Sequence, residues 1–146
     1  MTIYFASDHA GFSLRQTLLA HVQAAGHDVV DLGPAAESSV DYPDFGVKLA
    51  TALQQDDAGY GIAICGSGIG ISMALNRFSW VRAALVSHPL AAALARQHND
   101  ANVLALGERL IEPDLAKQCV DHFLGTEFEG ARHQRRVAKL SQIGEK

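Results

Sequence analysis

Gly61-Ile62-Ala63-Ile64-Cys65-Gly66-Ser67-Gly68-Ile69-Gly70 constrains this chain more than any other stretch. The apolar half reads as a buried strand, and it runs directly into glycines at alternate positions. Such glycines let backbone N–H groups approach a ligand closely and point toward it. A thiol, Cys65, stands at the junction, and the hydroxyl of Ser67 follows two residues later. Beside a helix N-terminus the thiolate form of a cysteine is favoured. The segment therefore predicts an anion-stabilising pocket with its own base or nucleophile.

The remaining chain repeats a strand–helix pattern around this segment. Residues 3–7 form a first strand, and the helix after it turns Leu14, Leu18 and Val22 inward until Gly26 closes it. Residues 28–33 supply a second strand, an acidic loop covers 37–44, and a helix carries Val47, Leu49, Ala50 and Leu53. Tyr60–Cys65 is the third strand, followed by a helix from 69 to 77, a fourth strand over 82–87 and an alanine-rich helix over 89–98. Val103–Gly107 is the fifth strand, and Pro113 suits the first turn of a helix ending near Gly125. Short apolar strands separated by helices predict an α/β fold, a three-layer αβα sandwich on a five-stranded, parallel, Rossmann-like sheet. Ligands bind such sheets beyond the carboxyl ends of the strands. Those ends carry Ser7-Asp8-His9, Cys65-Gly66-Ser67, Ser87-His88 and Gly107-Glu108-Arg109.

Beyond Gly125 comes the basic run Arg132-His133-Gln134-Arg135-Arg136, with a thin apolar stripe of Val137, Leu140 and Ile143 behind it. A five-unit sandwich already has both helical layers, so an additional C-terminal helix at about 131–144 is expected to pack on a second subunit. Arg132 and Arg136 are four apart and would share one helix face. Positive charge at a helix start calls for an anion there. The run reads either as a solvated helix start or as a phosphate clamp that Arg109 and His9 could complete.

Composition narrows the function classes. A chain of 146 residues fits one domain over its whole length, and a net charge of -4 argues against general nucleic-acid binding. No apolar run approaches the roughly 20 residues of a membrane span, and no basic leader precedes the first strand. The two cysteines, 65 and 119, form no C-x-x-C pair, and Cys119 shares a helical stripe with Leu115 and Phe123. A cytoplasmic protein with reduced thiols is expected.

Several chemistries fail on the glycine loop. Gly66, Gly68 and Gly70 give G-x-G-x-G rather than G-x-G-x-x-G, and the next strand ends in Ser87-His88 instead of an acid, so a dinucleotide is not expected. No Gly-Lys-Ser/Thr follows for an NTPase, and no arginine lies between Gly66 and Ser72 for a cysteine phosphatase. No Cys or His pair has ligand spacing with a matching second pair, so no metal is expected. Asp8-His9 reads either as a helix cap with a surface histidine or as site residues. His98 follows Leu90 and Leu94 at helical spacing, yet it stands in the polar stretch His98-Asn99-Asp100-Ala101-Asn102.

Asp8-His9-Ala10-Gly11, Asp41-Tyr42-Pro43, Cys65-Gly66-Ser67-Gly68-Ile69-Gly70, Arg96-Gln97-His98-Asn99-Asp100 and Gly130-Ala131-Arg132-His133-Gln134-Arg135-Arg136 together resemble type B ribose-5-phosphate isomerase. The wider group includes galactose-6-phosphate isomerase subunits and an allose-6-phosphate isomerase. The likeness runs in order from residue 3 to about residue 140.

The resemblance implies aldose–ketose isomerisation of ribose 5-phosphate and ribulose 5-phosphate through an enediolate, without metal or organic cofactor. It makes Cys65 the base between C2 and C1, Ser67 a proton-transfer hydroxyl, His98 the ring-opening group and Asp8 the acidic partner of substrate hydroxyls. The loop Gly66, Gly68, Ile69 and Gly70 would stabilise the enediolate, and Asn99 would touch sugar hydroxyls. His9, Arg132 and Arg136 would bind phosphate, supported by Arg109 and His133. It further implies a homodimer or tetramer with the active site shared between subunits. Six-carbon aldose phosphates, or phosphosugar binding without catalysis, are the alternatives. Two features depart from or sharpen the resemblance: Ser67 replaces the usual threonine, and no Asp or Glu occurs from Cys65 to Trp80, where another branch uses a glutamate base.

Overall fold

The computed structural model describes residues 1–144. Its elements are β1 (Thr2–Ser7), α1 (Phe12–Ala24), β2 (Asp28–Asp31), α2 (Tyr42–Gln55), β3 (Tyr60–Cys65), α3 (Ile69–Leu75), β4 (Ala83–Leu85), α4 (Pro89–Asn99), β5 (Val103–Gly107), α5 (Pro113–Gly125) and α6 (Arg132–Gln142). The five strands form one sheet in the order β2-β1-β3-β5-β4, and every neighbouring pair is parallel. The expected three-layer α/β sandwich is the observed fold.

Alternation along the strands divides the core in two. Ile3, Phe5, Ile62, Ile64, Leu104 and Leu106 face the layer of α1, α4 and α5, where they meet Leu14, Leu18, Val22, Ala92, Cys119 and Phe123. Ala6, Ala63, Cys65 and Val103 face the other layer, under Leu49, Ala50 and Leu53 of α2 and Ile71 and Leu75 of α3. The small side chains on this second face let α2 and α3 lie close to the sheet. Truncating a fully buried Leu or Phe in either cluster costs about 2–5 kcal/mol.

Arg15 is fully buried on α1. Its guanidinium donates to Ser7 Oγ at 2.6 Å and to the Pro34 carbonyl, while Nε lies 3.1 Å from Asp31 Oδ1 at an angle that makes an ion pair but no hydrogen bond. It thereby ties the carboxyl ends of β1 and β2 to the helix beneath them.

Several sequence boundaries shift, among them the end of α3, which comes at Leu75 rather than residue 77. β2 stops at Asp31 rather than residue 33, because Gly33 has φ +96° and turns the chain away from extended pairing. The fourth strand shrinks from 82–87 to Ala83–Leu85, an edge strand paired only with β5. Tyr42, Pro43 and Asp44 leave the acidic loop to become the first turn of α2, where proline's missing N–H costs nothing. Within α2, Leu49, Ala50 and Leu53 are buried and Val47 is exposed.

The chain steps outward from β1 to β2 and then returns across β1 to β3. This reversal opens a crevice between the carboxyl ends of β1 and β3, the usual ligand position in such a sheet. Asp8 and Cys65-Gly66 stand there.

Candidate active site

A cleft of about 580 Å³ occupies that crevice, lined by Asp8, His9, Tyr42, Cys65, Gly66, Ser67 and Arg109 among others. Cys65 ends β3 on the α2/α3 face, and only 5% of it is exposed. The Gly68 N–H donates to its Sγ at 3.2 Å. Gly68 has φ +77°, and a Cβ there would come within 2.5 Å of Leu85 and 2.8 Å of the Leu106 backbone. Only glycine can turn this loop so that its amide meets the sulfur.

Ser67 Oγ accepts from the Ile69 N–H at 3.1 Å. Gly68 and Ile69 thus each direct an N–H to a side chain of their own loop. At Gly70 an added Cβ would lie 2.6 Å from the Tyr42 ring, so that ring closes against bare backbone at the start of α3. Arg109 follows β5, its N–H donates to the Gly66 carbonyl at 3.0 Å, and its exposed guanidinium lies beside Gly66.

Asp8 caps a turn and also faces the cleft. Its Oδ1 accepts from the Gly11 N–H at 3.1 Å and caps the short 3-10 turn His9–Gly11, while the residue also lines the cleft. His9 Nδ1 lies 3.2 Å from both the N–H and the carbonyl of Val40, which anchors the ring to the loop before α2. When Nδ1 accepts from Val40, the neutral ring carries its proton on Nε2.

The remaining predicted residues stand elsewhere. α4 runs back from the carboxyl edge, so His98 and Asn99 arrive at the opposite edge, where Asn99 shares a 410 Å³ cavity with Arg82, Ala101 and Leu140. β5 separates that edge from the Cys65 cleft, a distance on the order of 15 Å. His98 is not a core histidine: its side chain is 39% exposed, and Leu90 and Leu94 of the same stripe are exposed too. Its ring stacks on His133 at 4.4 Å between centroids and 16° between planes.

His133 is buried at the start of α6, whereas Arg132, Arg135 and Arg136 are exposed. Burial lowers the His133 pKa below the usual imidazole value; the charges of Arg132, His98 and Arg136 act in the same direction, against Glu129. Spacing gave no metal-ligand set, yet folding places His98, Glu129 and His133 with ligand atoms within 4.8 Å of one another. One chain therefore carries two clusters: a thiol, a hydroxyl and a carboxylate at one edge, and histidines and arginines at the other.

Sequence reasoning passed over several residues that build these constellations. Arg96 is buried across the Tyr60 ring and binds Asp100 at 2.8 Å and the Ala101 carbonyl at 2.7 Å. Asp100, in the left-handed region at φ 47°, also pairs with Arg82. Together they fix the turn after His98 and Asn99. Arg96 before that polar stretch and Asp100 within it were the available signal. Tyr42 stood within a quoted motif but received no role. Glu129 had no spacing signal at all.

The ribose/galactose isomerase family matches residues 3–140 of this chain. The chain belongs to that family. Ribose-5-phosphate isomerase B of Escherichia coli is 44% identical over 141 residues, covering 97% of this chain and 95% of its own length. The solved ribose-5-phosphate isomerase B of Clostridium thermocellum is 45% identical, with a TM-score of 0.95 over 98% of this chain and 97% of its own. The Mycoplasma genitalium enzyme, solved with bound ribulose 5-phosphate, is 41% identical with a TM-score of 0.95, covering 99% and 97%. Family membership agrees with the sequence resemblance. Among the described residues no helix is long and apolar enough to cross a membrane.

Proposed function

We propose that this chain is a single-domain, cytoplasmic isomerase that interconverts ribose 5-phosphate and ribulose 5-phosphate. The observation that carries the reading is the buried Cys65 thiol, held by the Gly68 amide in a cleft shared with Asp8, Ser67 and Arg109. The ribulose 5-phosphate bound by the Mycoplasma genitalium relative favours a five-carbon substrate over a six-carbon one.

In the forward direction the Cys65 thiolate removes the proton on C2 of the open-chain aldose. The C–H electron pair becomes the C1–C2 double bond, and the carbonyl electrons move onto O1. The glycine loop, Gly66 to Gly70, holds that charge with backbone N–H groups, the Gly68 amide being shared with the sulfur. The Ser67 hydroxyl passes a proton between O2 and O1, and the thiol returns its proton to C1. No atom is gained or lost, and neither a metal nor an organic cofactor is required. Asp8 keeps one carboxylate oxygen for sugar hydroxyls while the other caps the turn.

His98, Asn99, Arg132, His133 and Arg136 reach this cleft from a second copy of the chain. His98 opens the sugar ring, Asn99 binds hydroxyls, and Arg132 and Arg136 join His9 around the phosphate, with Arg109 and His133 in support. The exposed Leu140 and Ile143 of the C-terminal segment are consistent with packing against that copy.

Purified Cys65→Ala protein tests the reading. Its kcat on ribose 5-phosphate is expected to fall at least about a hundredfold while substrate binding persists. Near-normal turnover would remove the thiol from the mechanism.

A further inference from the structure

We propose that His98, Glu129 and His133 form a binding site for a divalent transition cation of the Zn²⁺ type. Glu129 Oε1 lies 4.0 Å from His98 Nε2 and 3.8 Å from His133 Nε2, so both nitrogens sit on the carboxylate's side of the stacked rings. His133 is 7% exposed, and its Nε2 is buried without a hydrogen-bond partner. A buried nitrogen of this kind costs free energy unless something occupies its lone pair or takes its proton. A cation at the centre of the three groups satisfies it.

The site is largely assembled. The Glu129 N–H donates to the Gln97 carbonyl at 3.1 Å, which ties the carboxylate's segment to the last turn of α4 beside His98. Glu129 and His133 are four apart across the start of α6. Tetrahedral zinc with bonds of about 2.0–2.2 Å sets its ligand atoms roughly 3.3 Å apart. The Glu129 side chain is half exposed and free to close that gap, and rotation of one imidazole opens the stack. Two nitrogens and one carboxylate select zinc, cobalt or nickel over magnesium or calcium. A fourth position remains for water. Nearby Arg132 and Arg136 oppose a cation, so affinity is below that of a closed four-ligand site.

Binding rests on this geometry alone. Its consequence rests on the isomerase reading: a cation held here withdraws His98 and His133 from the sugar, so zinc inhibits in competition with phosphosugar.

Titration of Co²⁺ and Zn²⁺ into dimer carrying Cys65→Ala, which removes the accessible thiol, decides the binding claim by calorimetry and by the visible absorption of bound Co²⁺. One equivalent per chain is expected, weakened at least about tenfold by Glu129→Gln and by His133→Gln in that background, with no response to Mg²⁺. Absence of saturable binding, or binding indifferent to both substitutions, overturns the site. In the Cys65 enzyme, zinc inhibition relieved by ribose 5-phosphate and by Glu129→Gln is expected; saturation of the site without inhibition overturns the competition. A failed isomerase reading would leave the calorimetric result intact.

Discussion

The backbone N–H of Gly68 points at the sulfur of Cys65 from 3.2 Å. One element of local geometry produces this: a left-handed glycine at φ +77° folds the loop back over the end of β3. The fold of the loop alone aims this N–H at the sulfur. The left-handed turn, the thiol and the start of α3 therefore act as one unit.

Replacing Gly68 tests that unit. Gly68→Ala places a methyl 2.5 Å from Leu85 and close to the Leu106 backbone, in a conformation an L-residue adopts at a cost. Backbone strain and overpacking together cost about 2–4 kcal/mol. A guanidinium unfolding curve at neutral pH should show that loss, with turnover reduced further than stability explains. An unchanged midpoint with full activity would mean that the loop geometry is dispensable.

The two thiols should differ in reactivity. Cys65 lines the cleft, whereas Cys119 is fully buried in the α5 core, where burial pushes its pKa up. A thiol-alkylating reagent should modify one cysteine of the native protein, with phosphosugar slowing the reaction, and peptide mapping should place the label at Cys65. Labelling of Cys119 in the folded chain would contradict the burial argument.

These residues show why the sequence carried some features and not others. Tyr60–Cys65 and Val103–Gly107 were read at their observed boundaries because continuous apolar runs bounded by polar residues leave little choice. The start of α2 was missed because Tyr42 and Asp44 carry no inward stripe; the turn is set by Pro43 and by the Tyr42 ring lying on Gly70. That Cys65, Ser67 and Asp8 share one cleft was legible because they stand at or just past the carboxyl ends of strands in a parallel sheet. The placement of His98 and Asn99 at the far edge follows from the length and direction of α4, and local spacing does not reveal which edge a helix end reaches. The His98–His133 stack and Glu129 beside it depend on where α6 docks, a contact between distant segments that no motif encodes.

Stability should fall on acidification through the His133 site. Its folded pKa lies below the ordinary imidazole value, mainly through burial and then through Arg132, His98 and Arg136, with Glu129 opposing. The unfolded chain therefore binds the proton first. Stability is fully present above the ordinary imidazole pKa of about 6.5 and is lost as pH falls through it toward the lower folded value. With chelator present, midpoints measured between pH 8 and pH 5 should drop toward acid, and His133→Gln should flatten that slope. An equal slope in both proteins would assign the acid sensitivity to other groups.

Subunit mixing tests the shared site most directly. Cys65→Ala and His98→Asn proteins, each expected to be strongly impaired, are denatured together, refolded as an equal mixture and assayed on ribose 5-phosphate. If Cys65 of one copy works with His98 of another, each mixed dimer holds one intact site and one doubly altered site. Random reassortment into dimers then restores about a quarter of the unsubstituted activity. Activity no greater than the average of the two parents would contradict a site completed by the second copy.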